Sequence, residues 1–173
     1  MDKATFIARY GGIYEHSPWV AEQAWKPARD VTDPARLADI LAACVDAADE
    51  DTKLALIRAH PDLADRAAIA GGLTAASSAE QASAGLDQCT AEEFERFRFL
   101  NRKYKAKFGF PFVMAVRGRH RRDILDAFEQ RLGNDRDAEL AAAIRETHRI
   151  ARLRLEAIAG ARIARDSELT DGH

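Results

Sequence analysis

Cysteine is scarce in this chain, with Cys44 and Cys89 its only two. Neither stands at metal-ligand spacing, so both read as small buried hydrophobes rather than a disulfide or a zinc site. An excess of one charge is missing too: 26 basic residues against 28 acidic ones leave a net charge of -2. Nothing in that balance pulls the chain toward nucleic acid or an anionic membrane. No apolar run approaches the roughly 20 residues of a membrane-spanning helix. The longest, Phe108–Val116, is interrupted by Gly109 and Pro111. Sustained strand alternation, a Gly-rich phosphate loop, a His-x-x-x-His metal pair and a Gly-x-Ser-x-Gly elbow are all lacking. No basic-then-apolar leader precedes Phe6, and the ending Thr170–His173 carries no Ser-Lys-Leu address. The expectation is a cytoplasmic protein without metal.

What is present is helix, nearly everywhere. With 173 residues, 47% hydrophobic and 31% charged, the chain suits one soluble domain with a sizeable core. Phe6, Ile7 and Tyr10 form a short first helix closed by Gly11-Gly12. Ser17 followed by Pro18, and Asp33 followed by Pro34, each signal a helix start. Leu37, Ile40, Leu41 and Cys44 recur at helical spacing, and Asp51–Ala59 forms a further helix. Pro61 opens another, which runs to Gly71-Gly72. Ser77 or Ser78 starts the next, through Ala84 and Gly85. Thr90 with Glu93 fits a capping box for a helix to Lys107. Arg121–Leu132 and Asp135–Ala159 are the last two, before a polar tail from Arg162. The predicted fold is all-α: a single-domain irregular bundle of about eight helices.

Several residues do not fit a plain bundle. His60 stands before Pro61, whose ring pushes the preceding residue out of helical geometry. Its imidazole is therefore fixed at a junction. Arg154 falls on the inward stripe Leu140, Ile144, Thr147, Ala151, Arg154, Ile158, where a guanidinium needs a carboxylate, carbonyls or a ligand anion. Asn101 sits among Phe94, Phe97, Tyr104 and Phe108, in the position of a core asparagine stapling a neighbouring loop. Ser77 with Glu80, or Ser78 with Gln81, reads either as a capping box or as part of a site. The segment Phe108–Val116, forbidden to be a regular helix by Gly109 and Pro111, must find partners for its backbone groups. It either lines a pocket or is a buried connector. The Arg117–Arg122 cluster reads as a solvated turn and helix start. Unaided, these features describe a cofactor-free acid–base enzyme or a binding module.

In this order the segments resemble the 2-oxo-4-hydroxy-4-carboxy-5-ureidoimidazoline (OHCU) decarboxylase family. The pieces are His60-Pro61-Asp62-Leu63-Ala64, then Leu73-Thr74 with Ser77 to Gln81, and Ala84-Gly85-Leu86. They continue with Leu100-Asn101, Tyr104, Lys107 to Val113, Ala115 to Gly118, Arg131-Leu132 and Arg154-Leu155. One departure is Asp65, where many relatives have glycine. The resemblance implies an all-helical, cofactor-free enzyme that forms a homodimer and makes (S)-allantoin in urate degradation. It implies that His60 and Glu80 are catalytic. It further implies that Pro61, Ser77, Ser78, Ala79, Glu80, Gln81, Phe112, Val113, Met114, Ala115, Val116 and Arg154 bind the substrate, a small molecule. Neither nucleic acid nor membrane is an expected partner. Histidine suits the proton donor because its ordinary pKa, about 6.5, lies near working pH. The rival readings are a non-catalytic purine- or ureide-binding helical module, a helical interaction protein, and a decarboxylase for another ureide.

Overall fold

The computed structural model describes residues 1–65 and 72–170. Eight α-helices occur among them: α1 Lys3–Tyr10, α2 Trp19–Ala28, α3 Pro34–Asp46, α4 Glu50–Arg58, α5 Ala75–Ser83, α6 Ala91–Phe108, α7 Arg121–Arg131 and α8 Arg136–Thr170. No strand occurs among the described residues, so the all-α class is as expected. Contacts divide the chain into two compact units, one of Met1–Leu56 with His148–His173, the other of Ile57–Thr147.

In the first unit, the Asp2 carboxylate caps α1 by accepting from the Thr5 N–H at 2.9 Å. Asp33 caps α3 by accepting from the Arg36 N–H, with Pro34 in the first turn as expected. Ser17 does not cap α2. Its hydroxyl donates to the Glu15 carbonyl at 3.0 Å, and Pro18 itself holds the N-cap position. The helix runs on to Ala28, with Pro27 in its last turn. Phe6, Tyr14, Val20, Leu41, Val45, Leu56 and Leu155 are buried. The Tyr14 hydroxyl meets His148 Nδ1 at 2.9 Å, and His148 Nε2 meets Asp46 at 3.0 Å. Burial first, then the nearby Asp46 carboxylate, holds the Tyr14 phenol well above its usual pKa. Cys44 is free and half-buried rather than buried. The last helix continues to Thr170, beyond the expected fraying point at Arg162.

In the second unit, Thr90 and Glu93 form the expected capping box at the head of α6. Arg121 joins it, donating from Nε to Glu93 at 2.7 Å. α6 buries Phe94, Phe97, Leu100, Asn101, Tyr104 and Phe108 on one face and ends at Gly109, whose φ of 79° is a left-handed helix stop. His120 caps α7 with Asp123 completing the box, while residues 117–120 are exposed. The cation cluster is thus a solvated turn and helix start. Asp135 caps α8 through the Ala138 N–H. Cys89 is free and half-buried.

Two expected helix starts are not there. Residues 61–65 form no helix after Pro61, and Ala64 takes a positive φ of 54°. The reason is tertiary: backbone groups of this stretch bond to α5 and α6 rather than to each other. The rest of that expected helix, up to Gly71, lies outside the described residues. α5 begins at Ala75, not at Ser77 or Ser78, because Thr74 is the cap and accepts from the Ser77 N–H. Ser77 is therefore the third residue of the helix, buried, and the Ser77–Glu80 capping box does not exist. The helix stops at Ser83, and Gly85, with φ 72°, leads into a 3₁₀ turn, Leu86–Gln88.

Candidate active site

α4 ends at Arg58, and His60 lies two residues on, its N–H bonded back to the Ile57 carbonyl at 3.0 Å. His60 is 9% exposed. The stretch leaving it, residues 61–64, is pinned from three directions. Gln81 of α5, itself 3% exposed, accepts from the Ala64 N–H at 3.0 Å through Oε1. Its Nε2 reaches the Asp62 carbonyl at 3.4 Å. Asn101 of α6 donates to the Leu63 carbonyl at 3.0 Å, the staple its position predicts. Lys105, one turn further along α6, pairs with the Asp62 carboxylate at 2.6 Å. Two side chains, Gln81 and Asn101, thus take the place of the local helical bonds that Pro61 suggested, and with the Lys105 pair they fix the stretch that leaves His60. Arg58 adds a tether, donating to the Gly109 carbonyl at 3.0 Å. His60 lines a cavity of about 270 Å³ with Arg58, Asp62, Lys105, Gly109, Phe110 and Pro111. Arg58 and Lys105 stand at that wall, with Asp62 paired to Lys105, so the wall carries one cation in excess.

Glu80 is half-buried in the second turn of α5, one residue before Gln81. Capping does not explain it, since Thr74 performs that task. Ser78 and Ala79 are exposed and Ser77 is buried. None of Ser77–Gln81 lines the cavity beside His60, and the Gln81 amide joins α5 to the His60 stretch.

Phe110, Pro111 and the whole of 112–116 are buried, with neither helix nor turn from Pro111 to Val116. Phe112 stacks on Phe128 at 3.9 Å and 10°. The Arg131 guanidinium covers Phe112 at 4.4 Å from the ring centroid. The Val116 carbonyl accepts from the Arg119 N–H at 3.0 Å, and two more of the segment's backbone groups meet side chains. Arg131 Nη1 donates to the Val113 carbonyl at 2.7 Å, and the Ala115 N–H donates to Glu146 Oε2 at 2.8 Å. Those two groups therefore act first as anchors.

Behind them lies a cluster that sequence reading missed. Glu139, fully buried, accepts from Arg131 Nε at 3.0 Å, from Asn134 at 2.8 Å and from the Tyr104 hydroxyl. Burial first, then that bond to Glu139, holds the Tyr104 phenol far above its usual range. One signal was available: Glu139 precedes Leu140, the first residue of the inward stripe, so it borders the buried face. Among the described residues no group of three or more His, Cys, Asp or Glu side chains is arranged to hold a metal ion.

Arg154 belongs to the first unit. It is 6% exposed and donates from Nη1 to Glu15 at 2.8 Å and to the Ile13 carbonyl at 3.2 Å; Glu15 is 2% exposed. Of the alternatives open to an inward arginine, a carboxylate and a carbonyl are both present.

A family model described as OHCU decarboxylase matches residues 1–156. The chain is 42% identical over 155 residues to the 2-oxo-4-hydroxy-4-carboxy-5-ureidoimidazoline decarboxylase of Haloferax volcanii, covering 90% of this chain and 89% of that one. It is 39% identical over 157 residues to the uric acid degradation bifunctional protein PucL of Bacillus subtilis, matching 90% of this chain and 30% of that longer one. Among solved structures, that of (S)-allantoin synthase superposes with a TM-score of 0.71 at 32% identity, over 91% of this chain and 50% of that one.

Proposed function

This chain belongs to the OHCU decarboxylase family, and on that premise we propose that it converts OHCU to (S)-allantoin and CO₂ in urate degradation. The observation that carries the reading is the Gln81 bridge. Its amide ties the stretch leaving His60 to the helix turn that bears Glu80, in a helix that Thr74 caps. An imidazole and a carboxylate are thereby built on two elements held in register.

The substrate carries a hydroxyl and a carboxylate on C4 and a ureido group on C5, next to a ring C=N. The C4–carboxylate bond breaks, its electron pair enters the ring, and the ring nitrogen takes up a proton as CO₂ leaves. The resulting enol becomes a carbonyl when its hydroxyl proton departs, and a proton added to one face of C5 sets the (S) centre. His60 is the proton donor and Glu80 orients the hydroxyl and carboxylate around it. Pro61, Ser77–Gln81 and 112–116 are assigned to substrate binding on the family resemblance alone, since the cavity beside His60 is lined by other residues. Arg154 holds the substrate's polar groups from its pair with Glu15. The family match spans both compact units, which supports one functional domain. We extend the proposal to a homodimer in the cytoplasm, for which light scattering and cell fractionation are the tests. No helix among the described residues is long and apolar enough to cross a membrane.

The test is a coupled assay in which urate, uricase and hydroxyisourate hydrolase generate OHCU in situ, followed by absorbance and circular dichroism. Faster decay with growing (S)-allantoin ellipticity is expected, and a His60→Asn variant that folds normally should lose it. Spontaneous decay to racemic product with ligand binding retained would favour a ureide-binding module instead.

A further inference from the structure

Two carboxylates on one face of α8 hold the 112–116 segment, one directly and one through Arg131 at the end of α7. Glu139 and Glu146 of α8 are seven residues apart, so they project from the same side, about 10 Å apart along the axis. Glu146 takes the Ala115 N–H directly. Glu139 acts through Arg131, whose planar fork meets the carboxylate on one edge and the Val113 carbonyl on another. Arg131 supplies the extra reach, and its flat face lies on Phe112. Tyr104 and Asn134 complete the seat of Glu139, which is wholly inside the protein. Two backbone groups two residues apart are therefore held, the Ala115 N–H by Glu146 of α8 and the Val113 carbonyl by Arg131 of α7. With the Val113 carbonyl and the Ala115 N–H so engaged, the backbone groups of Met114 between them are taken by neither anchor.

We propose that Arg131, seated on Glu139, and Glu146 are positioning residues for the decarboxylase reaction. They fix the register of 112–116 so that the Met114 edge, and not the Val113–Ala115 edge, is offered to the flat ureido-imidazoline. The proposal rests on the function assigned above. It locates the specificity of this wall in two side chains that touch backbone instead of substrate. A buried connector with no functional register would need the same anchors for stability but would not link them to substrate affinity or to product handedness.

The experiment compares Glu146→Ala, Glu146→Gln and Arg131→Lys by steady-state kinetics, product ellipticity, thermal melting and amide hydrogen exchange. Glu146→Ala removes the acceptor for Ala115. We expect its Ala115 amide to exchange faster and its KM to rise about fivefold or more, the effect of losing one net hydrogen bond. The enantiomeric excess of allantoin should fall. Glu146→Gln keeps an acceptor oxygen and should stay within about twofold of the native KM. Arg131→Lys keeps the charge beside Glu139 but cannot fork to Val113, so its KM should rise too. Unchanged KM and enantiomeric excess in Glu146→Ala and Arg131→Lys, with an active native enzyme, would overturn the positioning role. Absence of decarboxylation in the native protein would instead overturn the assigned reaction. In that event, unchanged Ala115 exchange in Glu146→Ala would sink the anchor as well.

Discussion

Replacing Gln81 by alanine is the sharpest probe of how His60 is held. The native amide gives one good bond, from the Ala64 N–H at 3.0 Å, and one long bond, to the Asp62 carbonyl at 3.4 Å. Ala64 is 1% exposed, so water cannot take over the N–H. Orphaning it costs about 2 kcal/mol, from a range of about 1–3. The long bond adds a few tenths at most. Losing the second side-chain methylene from a buried site adds about 0.8 kcal/mol. Against these stands the roughly 1.5 kcal/mol of rotamer entropy that an ordered glutamine gives up and alanine does not. The net destabilisation is about 1.5 kcal/mol, which for a chain of this size lowers the melting midpoint by about 3–6 °C. The assay pairs thermal melting with amide exchange at Ala64, because the exchange reads the bond itself. Gln81→Glu is the companion: it retains an acceptor for Ala64 but sets a carboxylate against the Asp62 carbonyl, and should fall between native and alanine. Native-like protection of Ala64 in Gln81→Ala would refute the reasoning, whatever happened to turnover.

The same geometry sets two other outcomes. Arg154→Met should cost about 3–5 kcal/mol by leaving Glu15 charged and buried, and adding Glu15→Leu should recover most of it. Equilibrium unfolding in urea measures both. If the recovered double variant still turns over substrate with a native KM, Arg154 does not hold the substrate. Glu93 carries a carboxyl depressed below its usual 4.5, first by the Thr90 N–H and then by Arg121. A depressed folded pKa contributes stability that is complete above 4.5 and is lost as pH falls through the lower folded value. Glu93→Gln should flatten the stability–pH curve in that acid window and leave its slope above pH 5 unchanged, as melting across pH would show.

How much of this was legible in the sequence depends on how far apart the partners lie. Thr90 and Glu93, or Asp33 and Arg36, are three residues apart, and their caps appear as expected. Asn101 was readable as a staple because a carboxamide among aromatics has few other ways to be satisfied. Pro61 misled because its fit to a helix's first turn says nothing about Gln81 and Asn101, about 20 and 40 positions away, which claim the backbone that a helix would have used. Ser77 misled for a local reason: Thr74, an equally good cap, lies three residues earlier. Glu146 carries no motif, and Arg131, though within the matched Arg131-Leu132, has no role that spacing reveals. Their partners are main-chain groups, which every residue type presents alike.

The cap at Thr74 also bears on how this chain tolerates change. A helix started by Thr74 does not depend on the residues at 78 and 80, one exposed and one half-buried, to stay wound. A combinatorial library at those two positions would return mostly folded members, so sampling alternative acids, amides and hydroxyls at 80 would explore chemistry without unravelling its support. Evolution has the same latitude there, and drift at 78 and 80 should reflect demands of the substrate more than demands of the helix.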